Sequence, residues 1–346
     1  MKILAALALL VLASCTSSGS PNIHSVLVWR HGSLVSETYT PGSDRTLTDA
    51  LGVFPQKRAF DAASLHDVRS VSKSVVGLEA GIVLARHPEV TLDSPVLGFF
   101  PELKALTPGR EGITLRHLLT MSDGLEWNEW GRGTFDSDET GLTWEEHPAR
   151  KVLEKPVKFP PGTHFNYSGG STQTLLVVLE RLENRKFLDL VREDLLTPLG
   201  ITSWAWATST HGDPLGFAGL RLTPRDMGTI GLMVLAHGQW QGRHVVPRAW
   251  VDETTQTQID TGTDLFSLDG RPAGYGYQWW TGTARGPSGP VAWASAIGNG
   301  GQRIFVVPDL DLVCVVTAGD YGDRAIQTAV GRVVAEVVAT PIATVR

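Results

Sequence analysis

Ser70 and Lys73 stand three positions apart where a polar segment gives way to an apolar one. Residues three apart on a helix share a face, so the hydroxyl and the amine can meet. A serine hydroxyl is a poor nucleophile until a base takes its proton. Lysine can be that base when neutral, and burial or nearby positive potential lowers its pKa. A helix opening here adds backbone N–H groups and a positive dipole end, which suit a developing oxyanion. Of the eight lysines, only Lys73 has a serine three positions earlier. The alternative is a capping serine beside a surface lysine.

Tyr167 lies in Pro160-Pro-Gly-Thr-His-Phe-Asn-Tyr-Ser-Gly169, a turn-rich segment before a helix. Its phenol can reach Ser70 and Lys73, where a cationic lysine would lower its pKa, and it can relay a proton to a leaving group. The alternative is a packed tyrosine bonded to backbone. A third segment, Gly298-Asn-Gly-Gly-Gln302, precedes an apolar strand. Glycines beside a strand edge admit a substrate backbone. Asn299 is the candidate second oxyanion donor through its N–H, with Gly300, Gly301 and Gln302 beside it. A plain hairpin turn explains the segment equally well. Trp127, Trp130, Trp279 and Trp280 either line an acyl pocket or pack in the core and rim.

The elements around these segments follow from periodicity. Val26–Arg30 and Ser33–Tyr39 flank His31-Gly32 as a hairpin. Arg303–Pro308 and Leu312–Val316 are two further apolar runs joined by a Pro-Asp-Leu-Asp turn. Ser72–Arg86 is apolar almost all round and predicts a buried central helix. Helix signals also cover Thr114–Met121, Ser171–Glu183, Phe187–Leu196, Thr223–His237, Pro247–Gln258 and Arg324–Val338, with Pro224 and Pro247 at expected first helical positions. The order predicts an α/β (α+β) fold, an antiparallel sheet flanked by helices. A discontinuous sheet domain, 24–88 plus 215–346, would surround a mostly helical insertion at 89–214. Trp127–His147 reads as a solvated surface loop. Its Asp136-Ser-Asp-Glu139 lacks the glycine and terminal glutamate of a calcium loop, so no metal is expected there.

The 346 residues are 42% hydrophobic and 19% charged, with net charge −6, the balance of a globular protein. No basic block favours nucleic acid. Lys2 and the apolar run Ile3–Ala13 read as a signal peptide, too short to span a bilayer. The ending Leu12-Ala-Ser-Cys15 resembles a bacterial lipobox. On that reading residues 1–14 are removed, Cys15 carries lipid that holds the protein to a membrane, and residues up to 23 are a tether. The protein would then face the periplasm or the cell surface. Cys314, in LVCVV, reads as an inert core thiol. Neither a Gly-x-Ser-x-Gly elbow nor His-Glu-x-x-His occurs.

Together the segments resemble the serine beta-lactamase and penicillin-binding-protein superfamily, in particular the class C-like branch with esterases and 6-aminohexanoate-dimer hydrolases. Leu115–Leu125, Phe217–Asp226, Tyr275–Trp280 and Gly300–Pro308 extend the likeness from about residue 24 to the C-terminus. The resemblance implies Ser70 as acylated nucleophile, Lys73 as its activator and Tyr167 as the tyrosine of Tyr-x-Asn. The asparagine is missing, because Ser168-Gly169 follows Tyr167. A Lys-Thr-Gly or His-Thr-Gly motif is also missing, and Gly298–Gln302 stands in its place. Those absent residues hold a substrate carboxylate and amide in the family, so the resemblance implies a serine hydrolase of small esters or amides, working without a cofactor. DD-peptidase, beta-lactamase proper and a non-catalytic ligand sensor are the competing readings.

Overall fold

The computed structural model describes residues 20–46, 55–106, 109–131 and 136–341. Cys15 and residues 1–14, expected as a leader, lie outside the described residues. Among the described residues, no helix is long and apolar enough to cross a membrane.

The two ends of the chain build one antiparallel sheet. Strands β1 (Ile23–Arg30) and β2 (Ser33–Tyr39) form the expected hairpin, and β1 also pairs with a late strand. The late strands are β3 (Trp280–Gly286), β4 (Gly289–Gly298), β5 (Gln302–Val307) and β6 (Leu312–Ala318). Their order is β3-β4-β5-β6-β1-β2, with two short strands, Gly274–Tyr275 and Ile259–Asp260, outside β3. Every residue of β5 and β6 is buried. The period of two separates their faces: Ile304, Val306, Val313 and Val315 join one core cluster, while Phe305, Val307, Cys314 and Val316 join the other. Helices cover both faces, which is why these strands read as continuous apolar runs. Cys314 is a free, buried thiol, and burial pushes it up to about 12.

Helix α1 (Val71–Arg86) is the buried central helix, packed between the sheet and α2 (Gly169–Glu183). Helix α3 (Pro224–Leu235) takes Thr223 as its cap and Pro224 in its first turn. It lies on β5 and β6, and the C-terminal helix α4 (Arg324–Ala339) covers the opposite face. One buried cluster runs from β1 and β6 through α1 to α2, so the sheet and the intervening helices share a core.

Three helix expectations change. Phe187–Leu196 is α-helical only to Val191 and then widens into a π-turn over Arg192–Leu196. The helix expected from Pro247 spans Arg248–Thr254, with Pro247 in the cap position rather than inside the first turn. The Thr114-capped helix stops at Leu119, and Met121 adopts a φ of 54°.

Candidate active site

The chain turns sharply into α1. Arg69 has a φ of 51°, in the left-handed region that costs a non-glycine residue roughly 1–2 kcal/mol. Neighbours hold it there. Asp67 pairs with Arg221 at 2.8 Å, and Ser72 Oγ donates to the Arg69 carbonyl at 2.7 Å while accepting from the Leu220 N–H at 3.0 Å. Ser70 occupies the N-cap position of α1, makes no side-chain capping bond there, and stays half-buried.

Lys73 is buried, with 1% of its side chain exposed. Its Nζ lies 3.1 Å from Ser70 Oγ, as the spacing predicts. It also lies 3.1 Å from Glu129 Oε1, 2.8 Å from Glu139 Oε2 and 3.1 Å from the Phe217 carbonyl. An ammonium has three hydrogens, so four oxygens compete for them. The expectation of a lowered lysine pKa is overturned. Burial alone would lower it, but the Glu129 and Glu139 carboxylates outweigh burial and hold the ammonium charged.

The two glutamates differ. Glu129 is burdened by burial, yet Lys73 holds it below its ordinary range, and Oε2 accepts from the Trp127 indole and the Gly169 N–H, each at 2.7 Å. Glu139 is pushed up to about 8, by burial first and then by the Glu129 charge. About a quarter of the Glu139 side chain (24%) reaches solvent, against 2% for Glu129. Glu139 is therefore the more solvent-accessible member of the pair.

Tyr167 reaches the site, and Lys73 Nζ lies 4.8 Å from its ring centroid. The Tyr167 pKa is raised, not lowered: burial outweighs the Lys73 charge. Asn166 anchors the loop, its N–H donating to the Met121 carbonyl at 2.8 Å. Trp130 stacks on Tyr167 at 6.0 Å and is 62% exposed; Trp280 stacks on it at 5.6 Å and is buried. These two tryptophans border the site, whereas Trp127 and Trp279 are core residues.

The Gly298–Gln302 segment is the tight turn between β4 and β5. Strand β3 pairs with β4 only as far as Ser295, so Ala296, Ile297 and Gly298 have no β3 partner on that edge. A Cβ on Gly298 would sit 2.2 Å from the Val68 carbonyl, which places the end of β4 against the segment that delivers Ser70. The other residues of the turn look elsewhere. Gly300 and Gly301, at φ of 86° and 99°, crowd Tyr321 and α4. Asn299 Oδ1 accepts from the Gly322 N–H at 2.8 Å.

Sequence reasoning missed Glu129 and Glu139, because it read Trp127–His147 as solvated. Asp138 pairs with Lys155, and Ser137 caps a short helix, Asp138–Gly141, that turns Glu139 inward. The available signal was Gly169, which stands where the resemblance expects an asparagine.

Comparison with known proteins identifies the family. The family model described as Beta-lactamase matches residues 24–336. The chain belongs to the beta-lactamase family. Within it, the 6-aminohexanoate-dimer hydrolase of Paenarthrobacter ureafaciens is 27% identical over 273 residues, covering 75% of this beta-lactamase-family chain and 67% of that protein. The solved structure of EstCE1, a hydrolase with promiscuous acyltransferase activity, superposes with a TM-score of 0.72 at 17% identity, covering 96% of this chain and 98% of that one. A penicillin-binding protein homologue from Caulobacter crescentus gives a TM-score of 0.68 at 16% identity, with 96% and 97% covered. These structures share the beta-lactamase fold expected from the sequence.

Proposed function

We propose that this beta-lactamase-family hydrolase cleaves small esters or amides through an acyl-enzyme on Ser70. The carrying observation is the buried chain Ser70 Oγ, Lys73 Nζ, Glu139 Oε2, with successive gaps of 3.1 and 2.8 Å. Ser70 Oγ attacks the carbonyl carbon as its proton passes to Lys73, and Lys73 releases a proton to Glu139. The lysine thus stays cationic on either side of the transfer, and no free neutral amine accumulates. A carboxylate whose pKa is near 8 is matched to accept a proton near neutral pH. Collapse of the tetrahedral intermediate returns that proton to the leaving alcohol or amine, handed on from Lys73 by the Tyr167 phenol. Water then enters by the same relay and frees the acid and Ser70. The Ser70 N–H at the start of α1 and the Asn299 N–H, just past the end of β4, form the oxyanion hole, with Gly300 and Gly301 shaping the turn.

Small acyl groups fit best, since Trp130, Tyr167 and Trp280 supply flat apolar walls. The relative named for a 6-aminohexanoate dimer makes linear amides the first alternative to esters. The proposal includes export and a lipid anchor on Cys15, supported by the apolar run and Cys ending of the leader. Loss of labelled palmitate incorporation in Cys15→Ala tests the anchor.

The decisive experiment is covalent labelling with a fluorophosphonate, followed by turnover of short-chain aryl esters, linear amides, D-alanyl dipeptides and nitrocefin. Ser70 is expected to carry the label, and Ser70→Ala to lose label and turnover. Label persisting in Ser70→Ala overturns the assignment. Labelling without turnover of any substrate favours a sensor.

A further inference from the structure

A second cavity lies on the sheet face covered by α4. Its volume is about 270 Å³, and none of Ser70, Lys73 or Tyr167 lines it. Arg303 of β5 lines it and is only 4% exposed. A guanidinium has five N–H donors. Arg303 uses one, to the Gln302 carbonyl at 3.3 Å, and otherwise lies over the Phe266 ring at 5.1 Å. No acidic side chain forms an ion pair with it among the described residues, and Asp264, the carboxylate that lines the cavity, sits exposed at its rim. A buried cation without a counter-charge is costly unless something neutralises it. Burial alone pulls this guanidinium down to about 9.

Two more buried polar atoms on the same wall lack partners. Trp293 Nε1 is an unused donor and Gln327 Oε1 an unused acceptor. Gln327 Nε2 donates to the Gly298 carbonyl at 3.2 Å, which fixes its amide so that Oε1 is the free end. Phe305, Leu268 and Val334 complete the wall with apolar surface.

We propose that this cavity binds a small organic carboxylate with an apolar body. The Arg303 fork takes the carboxylate in a bidentate pair, Trp293 Nε1–H supplies a further donor, and Gln327 Oε1 receives a hydroxyl or N–H of the ligand. Arg332, exposed at the rim, adds positive potential at the entrance. The site is separate from Ser70, so its fate does not depend on the hydrolase reading.

Calorimetric titration of the full chain with hexanoate tests this, with hexanamide and chloride as controls. Hexanoate is expected to bind, and hexanamide and chloride are not. Arg303→Met should weaken hexanoate binding at least tenfold, and Arg303→Lys and Trp293→Phe by several-fold, since a charged bidentate contact is lost or degraded. If Arg303→Met does not fold, the Arg303→Lys and Trp293→Phe variants carry the same comparison. Undiminished binding in the Arg303 variants overturns the proposal, because the ligand then sits elsewhere. So does equal response to chloride, or no binding of hexanoate, benzoate or acetate by the wild type.

Discussion

A Cβ on Gly169 would lie 2.6 Å from Glu139 Oε2 and 3.0 Å from Glu139 Cγ. The carboxylate on Lys73 therefore occupies the volume that a side chain at position 169 would need. The missing asparagine and the inward glutamate are one feature. Gly169→Ala is expected to displace Glu139 and lower kcat/KM roughly 100-fold, the scale of a 1 Å misplacement near the reacting atoms. In a Glu139→Ala background the same change should cost little more, because neighbours sharing one contact are not additive. Full additivity in that cycle would refute the steric link.

Glu139 also sets a pH dependence. Its ionised form accepts the proton, and its pKa stands at about 8. The kcat/KM of the wild type should rise with pH and level off above about 8. Glu139→Gln should lose roughly 10²–10⁴ in kcat and lose that rising limb. An unchanged profile in Glu139→Gln would show that Glu139 takes no part in the proton transfer.

Glu79 predicts a stability effect of opposite origin. It is buried in α1, and burial, with Asp194 beside it, raises its pKa well above the carboxyl range. Above the ordinary carboxyl pKa the unfolded chain releases this proton and the native state keeps it. Stability therefore falls as pH rises through that window, by about 1.4 kcal/mol per unit for one group. Melting temperatures against pH should show that slope flattened in Glu79→Gln. Parallel curves for the two proteins would sink the prediction.

Trp130 separates substrate recognition from folding. It is exposed, so Trp130→Ala should leave the melting temperature within the range of a surface change, about 0.5 kcal/mol. Its stack beside Tyr167 should be felt by aryl esters as a KM raised roughly two- to tenfold, with kcat held. A matching fall in kcat would mean that Trp130 positions Tyr167 instead.

The sequence by itself determined the elements with strong periodicity and the residues whose partners are close in the chain. Residues 71–86 had to be a buried helix because their apolar positions encircle it, and Ser70 had to meet Lys73 because one helical turn joins them. The apolar residues of the runs at 303–308 and 312–316 fixed two-sided burial. Tertiary structure alone decided the charge on Lys73. Glu129 and Glu139 are 56 and 66 residues away, on a segment whose acidic composition matches a solvated loop. Whether a carboxylate faces water or a buried ammonium depends on which way a short helix turns, and no periodicity records that. The same holds for Tyr167, whose pKa direction rests on the balance of burial against one cation. It holds also for the β4–β5 turn, where Gly298, rather than Gly300 or Gly301, meets the backbone leading to Ser70. Spacing along a helix is local geometry, whereas charge state and close approach are sums over distant neighbours, and only the fold supplies them.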